Sequence, residues 1–197
     1  MSVVAASPTR TSLSGTARAK WFLFFGLAAI VVIVDQLSKA WVAAAFQPAS
    51  TSAAPGAAGG PTQVLGDWVR IAVSHNSGGI FGLAGSSAPI LGLASLVVIG
   101  FIVVYQKRQG IASHPLLTVA LGLLLGGAVG NLIDRLRLGY VIDWVDMGIG
   151  DLRWYTFNVA DAAISIALVL LIAISLLGER LGMTVGTAAA PEASAPR

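Results

Sequence analysis

The sequence predicts an all-α integral membrane protein with four transmembrane helices and a small β-rich extracytoplasmic element between helices 1 and 2. Three observations support this fold class. Hydrophobic residues make up 56% of the 197 positions and charged residues only 11%, whereas soluble domains carry roughly 25% charged residues. Four apolar stretches each approach the ~20 residues that a helix needs to cross a bilayer. One segment between the first two stretches has the composition of a β-hairpin.

The four predicted spans are, in chain order, about 21–46, 88–104, 115–133 and 159–177. No ten-residue alternation of apolar and polar residues repeats along the chain, which disfavours a β-barrel. We assign residues 18–180 to one four-helix membrane domain. The flanking segments 1–17 and 181–197 are rich in Ala, Ser, Thr and Pro, and we predict that both are disordered cytoplasmic tails.

Basic residues next to the spans predict how the chain is oriented. Arg18 and Lys20 precede the first span, and no basic residue follows that span before Arg70. Lys107 and Arg108 lie in the loop between the second and third spans. The positive-inside rule therefore predicts that both termini and this loop are cytoplasmic.

The first span also shares features with a cleavable signal peptide, because Arg18 and Lys20 precede an apolar run that reaches three alanines at 43–45. Asp35 and Lys39 interrupt this run, so we expect the span to remain uncleaved. These two residues are four apart and share one helix face. We interpret them as a structural ion pair, with a direct role in chemistry as the alternative.

The first outer loop divides into two parts. Residues 47–60 are rich in Ala, Ser, Pro and Gly, which predicts a flexible segment. Residues 62–74 contain two β-rich runs about Gly66 and Asp67. This pattern predicts a small hairpin on the membrane surface.

Composition excludes several kinds of function. The chain has no cysteine and only two histidines, which excludes disulfides, thiol catalysis and Cys-ligated metals. We therefore predict no metal and no cofactor. No basic run exceeds two residues, so nucleic-acid binding has no support. No internal repeat is evident, which disfavours an inverted-repeat transporter.

Polar residues in and beside the spans fall at one depth of the membrane. On the predicted topology they lie near the outer interface, and they are Asp35, Lys39, Asn131, Asp134, Arg135, Asn158 and Asp161. Ionisable residues inside spans are costly and by default mark function. Their common depth predicts a site at the outer face. A carrier or lipid-binding protein would instead place such groups at mid-membrane and in both halves of the spans.

The third span combines a stripe of small residues with a polar end. The small residues recur every four positions, at Gly122, Gly126 and Gly130. Such stripes let helices approach closely, which predicts tight packing. Asn131, Asp134 and Arg135 continue along roughly the same face. Arg135 either binds a carboxylate or lipid head group, or bridges to Asp134 or snorkels to the interface; the sequence leaves both alternatives open.

Two carboxylates, Asp143 and Asp161, lie eighteen residues apart on either side of a predicted return loop. If they meet, they cannot both ionise easily, so one pKa rises and the pair shares a proton. Such a pair can activate water and protonate a leaving amine. Spacing alone leaves solvated interfacial carboxylates as the alternative. A Gly-x-Gly-Asp sequence at 148–151 occurs in another class of intramembrane protease, but it lies in a polar loop and the chain has no Tyr-Asp partner motif.

Five blocks carry a family resemblance. They are 35–39 (DQLSK), 76–81 (NSGGIF), 127–135 (GAVGNLIDR), 139–144 (GYVIDW) and 157–161 (FNVAD). In order and spacing they resemble the lipoprotein signal peptidases, the type II signal peptidases of bacteria, over about residues 21–178. The resemblance implies a four-helix membrane aspartyl endopeptidase. It would remove signal peptides from prolipoproteins by cutting before a diacylglyceryl-modified cysteine.

The resemblance also implies roles for particular residues. The implied catalytic pair is Asp143 and Asp161; the implied substrate-binding residues are Asn76, Asn131, Arg135 and Asn158; and the implied architectural support is Asp35 and Lys39. The expected partners are diacylated prolipoproteins and membrane lipid, without nucleic acid, and we expect the protein to act as a monomer. The expected location is the bacterial cytoplasmic membrane, with several spans and the active site near the outer face.

The sequence departs from the family pattern at three places, one of which is a first outer loop lengthened by its Ala/Pro/Gly-rich segment. Gly79 and Ile80 stand where the family usually has Ala-Ala or Ala-Ser, and Trp144 stands where Phe is common. These departures concern loop contacts rather than the acid pair. A catalytically inactive scaffold is a further alternative, against which the intact acid pair argues.

Overall fold

The computed structural model describes residues 10–46, 60–78, 88–109, 114–178 and 180. Within these residues the chain forms four helices and four strands. The helices are α1 (Arg10–Ala45), α2 (Ala88–Gln109), α3 (Pro115–Leu138) and α4 (Val159–Leu177), and the strands are β1 (Thr62–Leu65), β2 (Val69–Asn76), β3 (Val141–Ile149) and β4 (Leu152–Arg153). Each helix is long and apolar enough to cross a membrane, so the prediction of four spans is confirmed.

The helix bounds differ from the predicted ones at three ends. Helix α1 begins at Arg10, so residues 10–17, which we assigned to a disordered tail, are helical. Helices α2 and α3 each continue five residues beyond the predicted span. They do so because the polar residues that end the apolar stretches still favour a helix. The predictions for 1–9, for 181–197 and for the flexible segment as far as residue 59 lie outside the described residues, as do Gly79 and Ile80.

Helix α3 is the central element of the bundle, since it packs against each of the other three helices. About two-thirds of the residues in its most apolar stretch are buried, compared with roughly a fifth in each of the other three helices. Its glycines allow this packing. An added Cβ would lie 2.8 Å from the Ala28 carbonyl oxygen at Gly126, and 2.5 Å from the Ala160 carbonyl oxygen at Gly127. The predicted packing role of the glycine stripe is confirmed, and Gly127 extends it to a second helix.

The four strands form one antiparallel sheet in the order β1-β2-β3-β4. The predicted hairpin is present as β1 and β2, joined by a turn in which Gly66 has a φ of 53°. However, the other two strands come from the segment between α3 and α4, which we predicted to be a loop. The β element is therefore not confined to the chain between helices 1 and 2. Strand β3 was missed because Asp143, Asp146 and Gly148 lower its strand propensity.

Two apolar clusters fix the relation between helices and sheet. The first joins α1, α2, α3 and α4 through Phe24, Ala28, Ile102, Leu117, Leu121, Leu125 and Ile174. The second joins the end of α1 to the sheet through Val42, Ile71, Val73 and Ile142. This second cluster holds β2 and β3 against the end of α1, and a backbone bridge between Val145 and Phe157 places β3 beside the start of α4.

Candidate active site

The structure collects the predicted site residues where the sheet meets the helix ends. Asp143 is the third residue of β3 and Asp161 the third residue of α4, while Asn158 caps that helix. Asn76 ends β2, and Asn131 lies in the last two turns of α3. Hydrogen bonds join these five residues into one network.

Asp143 is almost fully buried and is held by two side-chain amides. Its Oδ2 accepts a hydrogen bond from Asn76 Nδ2 at 3.0 Å, and its Oδ1 accepts one from Asn158 Nδ2 at 2.7 Å. Strand register explains the first contact, since Asn76 pairs with Val141, two residues from Asp143 on β3. Burial raises the pKa of Asp143 to about 6; the Asn76 hydrogen bond opposes this rise and the Asp161 charge adds to it.

Asp161 is held by the start of its own helix and by α3. Its Oδ1 accepts a hydrogen bond from Asn131 Nδ2 at 2.7 Å, and its Oδ2 accepts one from the Asn158 backbone N–H at 3.3 Å. The Asn158 Oδ1 in turn accepts from the Asp161 backbone N–H at 2.9 Å. This reciprocal pair is a capping box, which satisfies the free N–H groups that begin a helix. The local sequence Asn-x-x-Asp therefore both starts α4 and orients Asp161.

Asn158 links the two acids. It is fully buried, and its Nδ2 lies 2.7 Å from Asp143 Oδ1 and 3.2 Å from Asn131 Oδ1. One asparagine thus contacts Asp143 through its amide nitrogen and Asp161 through its amide oxygen. Among the described residues, neither acid forms an ion pair. Both are contacted by neutral donors, which leaves the acids free to hold or release a proton.

A buried lysine lies behind this network. Lys39 Nζ is 2.8 Å from Asp35 Oδ2, 2.8 Å from Asp134 Oδ2 and 3.1 Å from Asn131 Oδ1. We call Asp35, Lys39 and Asp134 the lysine cluster. The predicted ion pair between Asp35 and Lys39 is present. Asp134, considered above as a partner of Arg135, instead pairs with Lys39 across two helices.

The two acids of the lysine cluster hold the backbone beside the predicted catalytic acids. Asp35 Oδ1 accepts from the Ala160 N–H at 3.0 Å, and Asp134 Oδ2 accepts from the Ile142 N–H at 3.2 Å. Ala160 and Ile142 each immediately precede one of the predicted catalytic residues. Gln36, which the sequence analysis did not single out, donates to Asp134 Oδ1 at 2.9 Å. The cluster therefore connects α1 and α3 to both segments of the site.

Arg135 is placed apart from the acid network. It is half-buried, and within the described part of the chain its Nη1 donates to the Asn131 carbonyl oxygen at 3.4 Å. It lines a cavity of about 400 Å³ between α2 and α3, together with Pro89, Gly92, Leu93, Leu96, Leu136 and Gly139. This cavity is apolar apart from the guanidinium group. Its position suits an apolar chain that carries a polar group at one end.

A second charged group lies within the sheet, and the sequence analysis did not predict it. We call Asp67, Arg70, Asp146 and Arg153 the sheet cluster. Arg70 Nε lies 3.0 Å and Arg153 Nη2 2.9 Å from Asp146 Oδ2, and Arg153 Nη1 donates to the Asp67 carbonyl oxygen at 2.6 Å. These contacts tie the β1–β2 turn to β3 and β4. Asp67 and Arg70 are three residues apart and also contact each other, but strand register brings Asp146 and Arg153 to them, so no local sequence pattern could have revealed the whole group.

Comparisons with known proteins agree with this architecture. The sequence model of the family described as signal peptidase (SPase) II matches residues 27–177. The chain is 39% identical over 173 residues to a lipoprotein signal peptidase of Caulobacter vibrioides, covering 85% of this chain and 94% of that protein. It is 38% identical over 149 residues to a lipoprotein signal peptidase of Moorella thermoacetica, covering 75% and 89%.

Two solved structures are also similar. Both are described as bacterial membrane enzymes, determined at 1.9 Å and 2.3 Å resolution. The first has a TM-score of 0.65 at 27% identity and covers 77% of this chain and 90% of that one. The second has a TM-score of 0.64 at 26% identity and covers 80% and 89%. Since the family match includes four membrane-spanning helices and the whole acid network, this chain is a multi-pass bacterial membrane protein that belongs to the signal peptidase II family.

Proposed function

We propose that this protein is an aspartyl endopeptidase that removes signal peptides from prolipoproteins by cleaving before the diacylglyceryl-modified cysteine. Family membership supports the removal of signal peptides from prolipoproteins. The single observation that supports the aspartyl mechanism is that Asn158 contacts both carboxylates: its side-chain Nδ2 donates to Asp143 Oδ1 and its backbone N–H donates to Asp161 Oδ2. It holds two carboxylates in one small site, where a shared proton is favoured.

The raised pKa of Asp143 suggests how the two acids divide the work. Asp143 carries the shared proton, and Asp161 is the ionised base. Asp161 takes a proton from a water molecule as the water oxygen attacks the scissile carbonyl carbon, and Asp143 protonates the carbonyl oxygen. When the C–N bond then breaks, Asp161 gives its proton to the leaving amine of the modified cysteine, and a hydroxyl of the tetrahedral intermediate returns a proton to Asp143, which restores the starting state of the pair. Carboxylates and water suffice for these steps, so the proposal includes no metal and no cofactor.

The amides and Arg135 form the proposed substrate-binding residues. Asn76, Asn131 and Asn158 surround the acids, where they can also contact the substrate backbone. Arg135 faces the apolar cavity between α2 and α3, where it can donate to lipid ester oxygens while an acyl chain occupies the cavity. The signal helix and lipid chains would enter between helices from the bilayer. All of these groups belong to one chain, which supports action as a monomer.

We also propose that the sheet and the acids lie near the outer face, with both termini cytoplasmic. Arg18, Lys20, Lys107 and Arg108 support this orientation. Exposed Trp68, Trp154 and Tyr155 on the sheet support a position at the membrane interface, where such residues are enriched. Single cysteines at positions 107 and 150 of this Cys-free chain test the topology. Position 150 should label from outside intact cells and position 107 only after permeabilisation; the reverse pattern would overturn the orientation.

The decisive experiment measures cleavage of a diacylated prolipoprotein by purified protein. Asp143→Asn and Asp161→Asn should each lower kcat by about 10³-fold or more, and the double variant should be scarcely worse, because the pair acts as a unit. The matched control is Asp151→Asn, which removes an exposed acid from the same segment. Turnover within tenfold of wild type in either single variant would exclude the acid pair. Equal loss in the control would indicate a general effect of charge.

A separate experiment tests Arg135. Arg135→Lys keeps the charge but loses the planar fork of donors, so we expect at least fivefold lower kcat/KM with the acid pair intact. The control is Arg137→Lys, one half-turn further along α3 and exposed, which should stay within twofold. If both variants stay within twofold, Arg135 merely snorkels to the interface. It would then not belong to the substrate site.

A further inference from the structure

We propose that Lys39 is a positioning residue for the reaction: through Asn131 and Asn158, it determines which amide atoms face the two acids. This inference rests on the proposed function, because it assigns Lys39 a role in the chemistry of Asp143 and Asp161. It goes beyond a supporting ion pair within α1. Lys39 would act by holding the direction of a chain of hydrogen bonds.

The chemistry of an amide determines what each end of the Asn131 side chain can contact. The Asn131 side chain has an oxygen that accepts and a nitrogen that donates, and the two ends have nearly the same shape. Hydrogen-bond partners therefore decide which end faces which neighbour. An ammonium group can only donate. Lys39 Nζ lies 3.1 Å from Asn131 Oδ1, so the oxygen must face the lysine and the nitrogen must face Asp161, at 2.7 Å.

The orientation of the Asn131 amide also determines the orientation of the Asn158 amide. Asn131 Oδ1 also accepts from Asn158 Nδ2 at 3.2 Å. The Asn158 nitrogen is therefore on the side of Asn131 and Asp143, where it lies 2.7 Å from Asp143 Oδ1. The Asn158 oxygen is left for the Asp161 backbone N–H. Starting from one lysine, the amide nitrogens of Asn131 and Asn158 both point at a carboxylate.

An ionised Asp161 would orient Asn131 without help, since a carboxylate only accepts. During the proposed reaction, however, Asp161 takes up a proton and can then donate. At that stage the acid no longer favours one end of the amide. Lys39 cannot change in this way, so it keeps the Asn131 nitrogen directed at Asp161 throughout the reaction.

Lys39 itself is fixed by its surroundings. Its side chain is 2% exposed, and Asp35 and Asp134 lie 2.8 Å from Nζ on two further sides. An ammonium group has three protons, and here three acceptors receive them. All three N–H donors of Lys39 are therefore in use, and any movement of Nζ would break at least one of these hydrogen bonds. This complete use of its donors is what lets it act as a rigid reference for Asn131.

The test compares two double variants that have the same formal charge as the wild-type cluster. Lys39→Gln/Asp134→Asn and Lys39→Met/Asp134→Asn remove the same two charges, but only the glutamine can donate to Asn131. We expect kcat of the glutamine variant within about fivefold of Asp134→Asn. We expect kcat of the methionine variant to be at least about 30-fold lower, with KM within twofold. A purely structural role would change the folded fraction of both variants and leave kcat per folded molecule equal, which would overturn the inference.

A third variant decides the matter if either double variant does not fold. Asn131→Asp keeps an oxygen for Lys39 but replaces the donor to Asp161 with an acceptor. We expect at least 100-fold lower kcat in folded protein, and activity within tenfold of wild type would overturn the inference. Asp143→Asn and Asp161→Asn, measured in parallel, separate the two levels. If these are active, the proposed function fails; if they are inactive while the glutamine and methionine variants are equal, only the role of Lys39 fails.

Discussion

Two groups of charged side chains occur in this protein, and they differ in what they contact. The lysine cluster has side chains that are at most 4% exposed and reaches Asn131, Ala160 and Ile142 beside the proposed catalytic acids. The sheet cluster has side chains that are 10–38% exposed. Its contacts remain within the sheet. The number of ion pairs in a cluster therefore says little about its function. The burial of the cluster, and whether it contacts residues beside the proposed catalytic acids, say more.

The two groups also differ in energetic weight. Removing one partner from a buried ion pair typically costs ~3–5 kcal/mol, because the remaining charge has no compensation. A solvent-exposed pair contributes about 0–1 kcal/mol, because water and salt screen it. In the sheet cluster Arg70 and Asp146 are buried, whereas Asp67 and Arg153 are partly exposed and their pairing is screened. We therefore expect the lysine cluster to control both folding and chemistry, and the sheet cluster to control only local rigidity.

The largest expected effect breaks the lysine cluster. Lys39→Met leaves Asp35 and Asp134 buried without a cation, so we expect about 3–5 kcal/mol lower unfolding free energy or little folded protein. Asp134→Asn added to Lys39→Met should restore part of the folded yield. Thermal unfolding in detergent measures both. A single variant as stable as wild type would show that the cluster is far more solvated than its burial indicates.

The next effect concerns Asp143, the acid that the lysine cluster helps to place through Ile142. Its folded-state pKa is about 6, above the ordinary value of 3.8. Between about pH 4 and pH 6 the folded protein thus binds more protons than the unfolded chain, and this carboxyl lowers stability as pH rises. Asp143→Asn removes that loss. The variant should gain up to about 3 kcal/mol over wild type at pH 7 relative to pH 4.

Unfolding midpoints of wild type and Asp143→Asn at the two pH values measure this effect. Taking the difference between the proteins cancels the groups that titrate in the same range and are remote from Asp143. An equal offset at pH 4 and pH 7 would contradict the raised pKa. A gain in stability together with lost cleavage would show that the site costs stability in order to hold a proton.

A smaller effect tests how closely α4 must approach α3. In Gly127→Ala the added Cβ would lie 2.5 Å from the Ala160 carbonyl oxygen and 2.6 Å from Ile164 Cγ1. The start of α4 must then move, at a cost of about 1–3 kcal/mol, and Asp161 moves with it. We expect at least tenfold slower cleavage. Gly100→Ala in α2, which meets nothing within 4 Å, is the control and should cleave like wild type.

The smallest effect is expected in the sheet cluster. Arg153→Met removes the contacts to Asp146 and Asp67, and we expect at most about 1 kcal/mol lower stability because the group is partly solvated. Cleavage per folded molecule should stay within twofold of wild type. Stability is measured by thermal unfolding at low and high salt. A loss of cleavage without unfolding would show that the sheet cluster also reaches the chemistry, and the contrast between the two groups would fail.

The sequence predicts what local spacing and composition can encode. The four spans follow from hydropathy, the hairpin from Gly66 and its β-rich flanks, and the contact between Asp35 and Lys39 from their four-residue separation. Strand β3 could not be predicted, because its two acids and Gly148 lower its strand propensity and because its pairing partner β2 is remote in sequence. The partner of Asp134 could not be predicted for a similar reason, and the sequence offered Arg135 only as one alternative. Its contact with Lys39 depends on how α1 and α3 are rotated against each other, and no spacing within α3 specifies that rotation.

The sequence also indicates which residues belong to the site, but it does not predict most of the hydrogen bonds between them. Asn158 and Asp161 form a capping box that their separation of three residues permits. The link from Asn158 to Asp143 is different, because it requires β3 to lie beside the start of α4, where Val145 and Phe157 form a backbone bridge. Long-range packing thus decides which amide meets which acid.

The separation of Asp35 and Lys39 within one helix also bears on how the chain enters the membrane. During synthesis α1 reaches the bilayer before α3 exists, so neither Asp134 nor Asn131 is then present. Lys39 has a partner one helical turn away in its own segment, and the span enters without net charge on that face. The second acid arrives later, on a helix that docks against a lysine already neutralised. Because Asp35 and Lys39 are synthesised on the same helix, Lys39 is paired from the time that α1 enters the membrane.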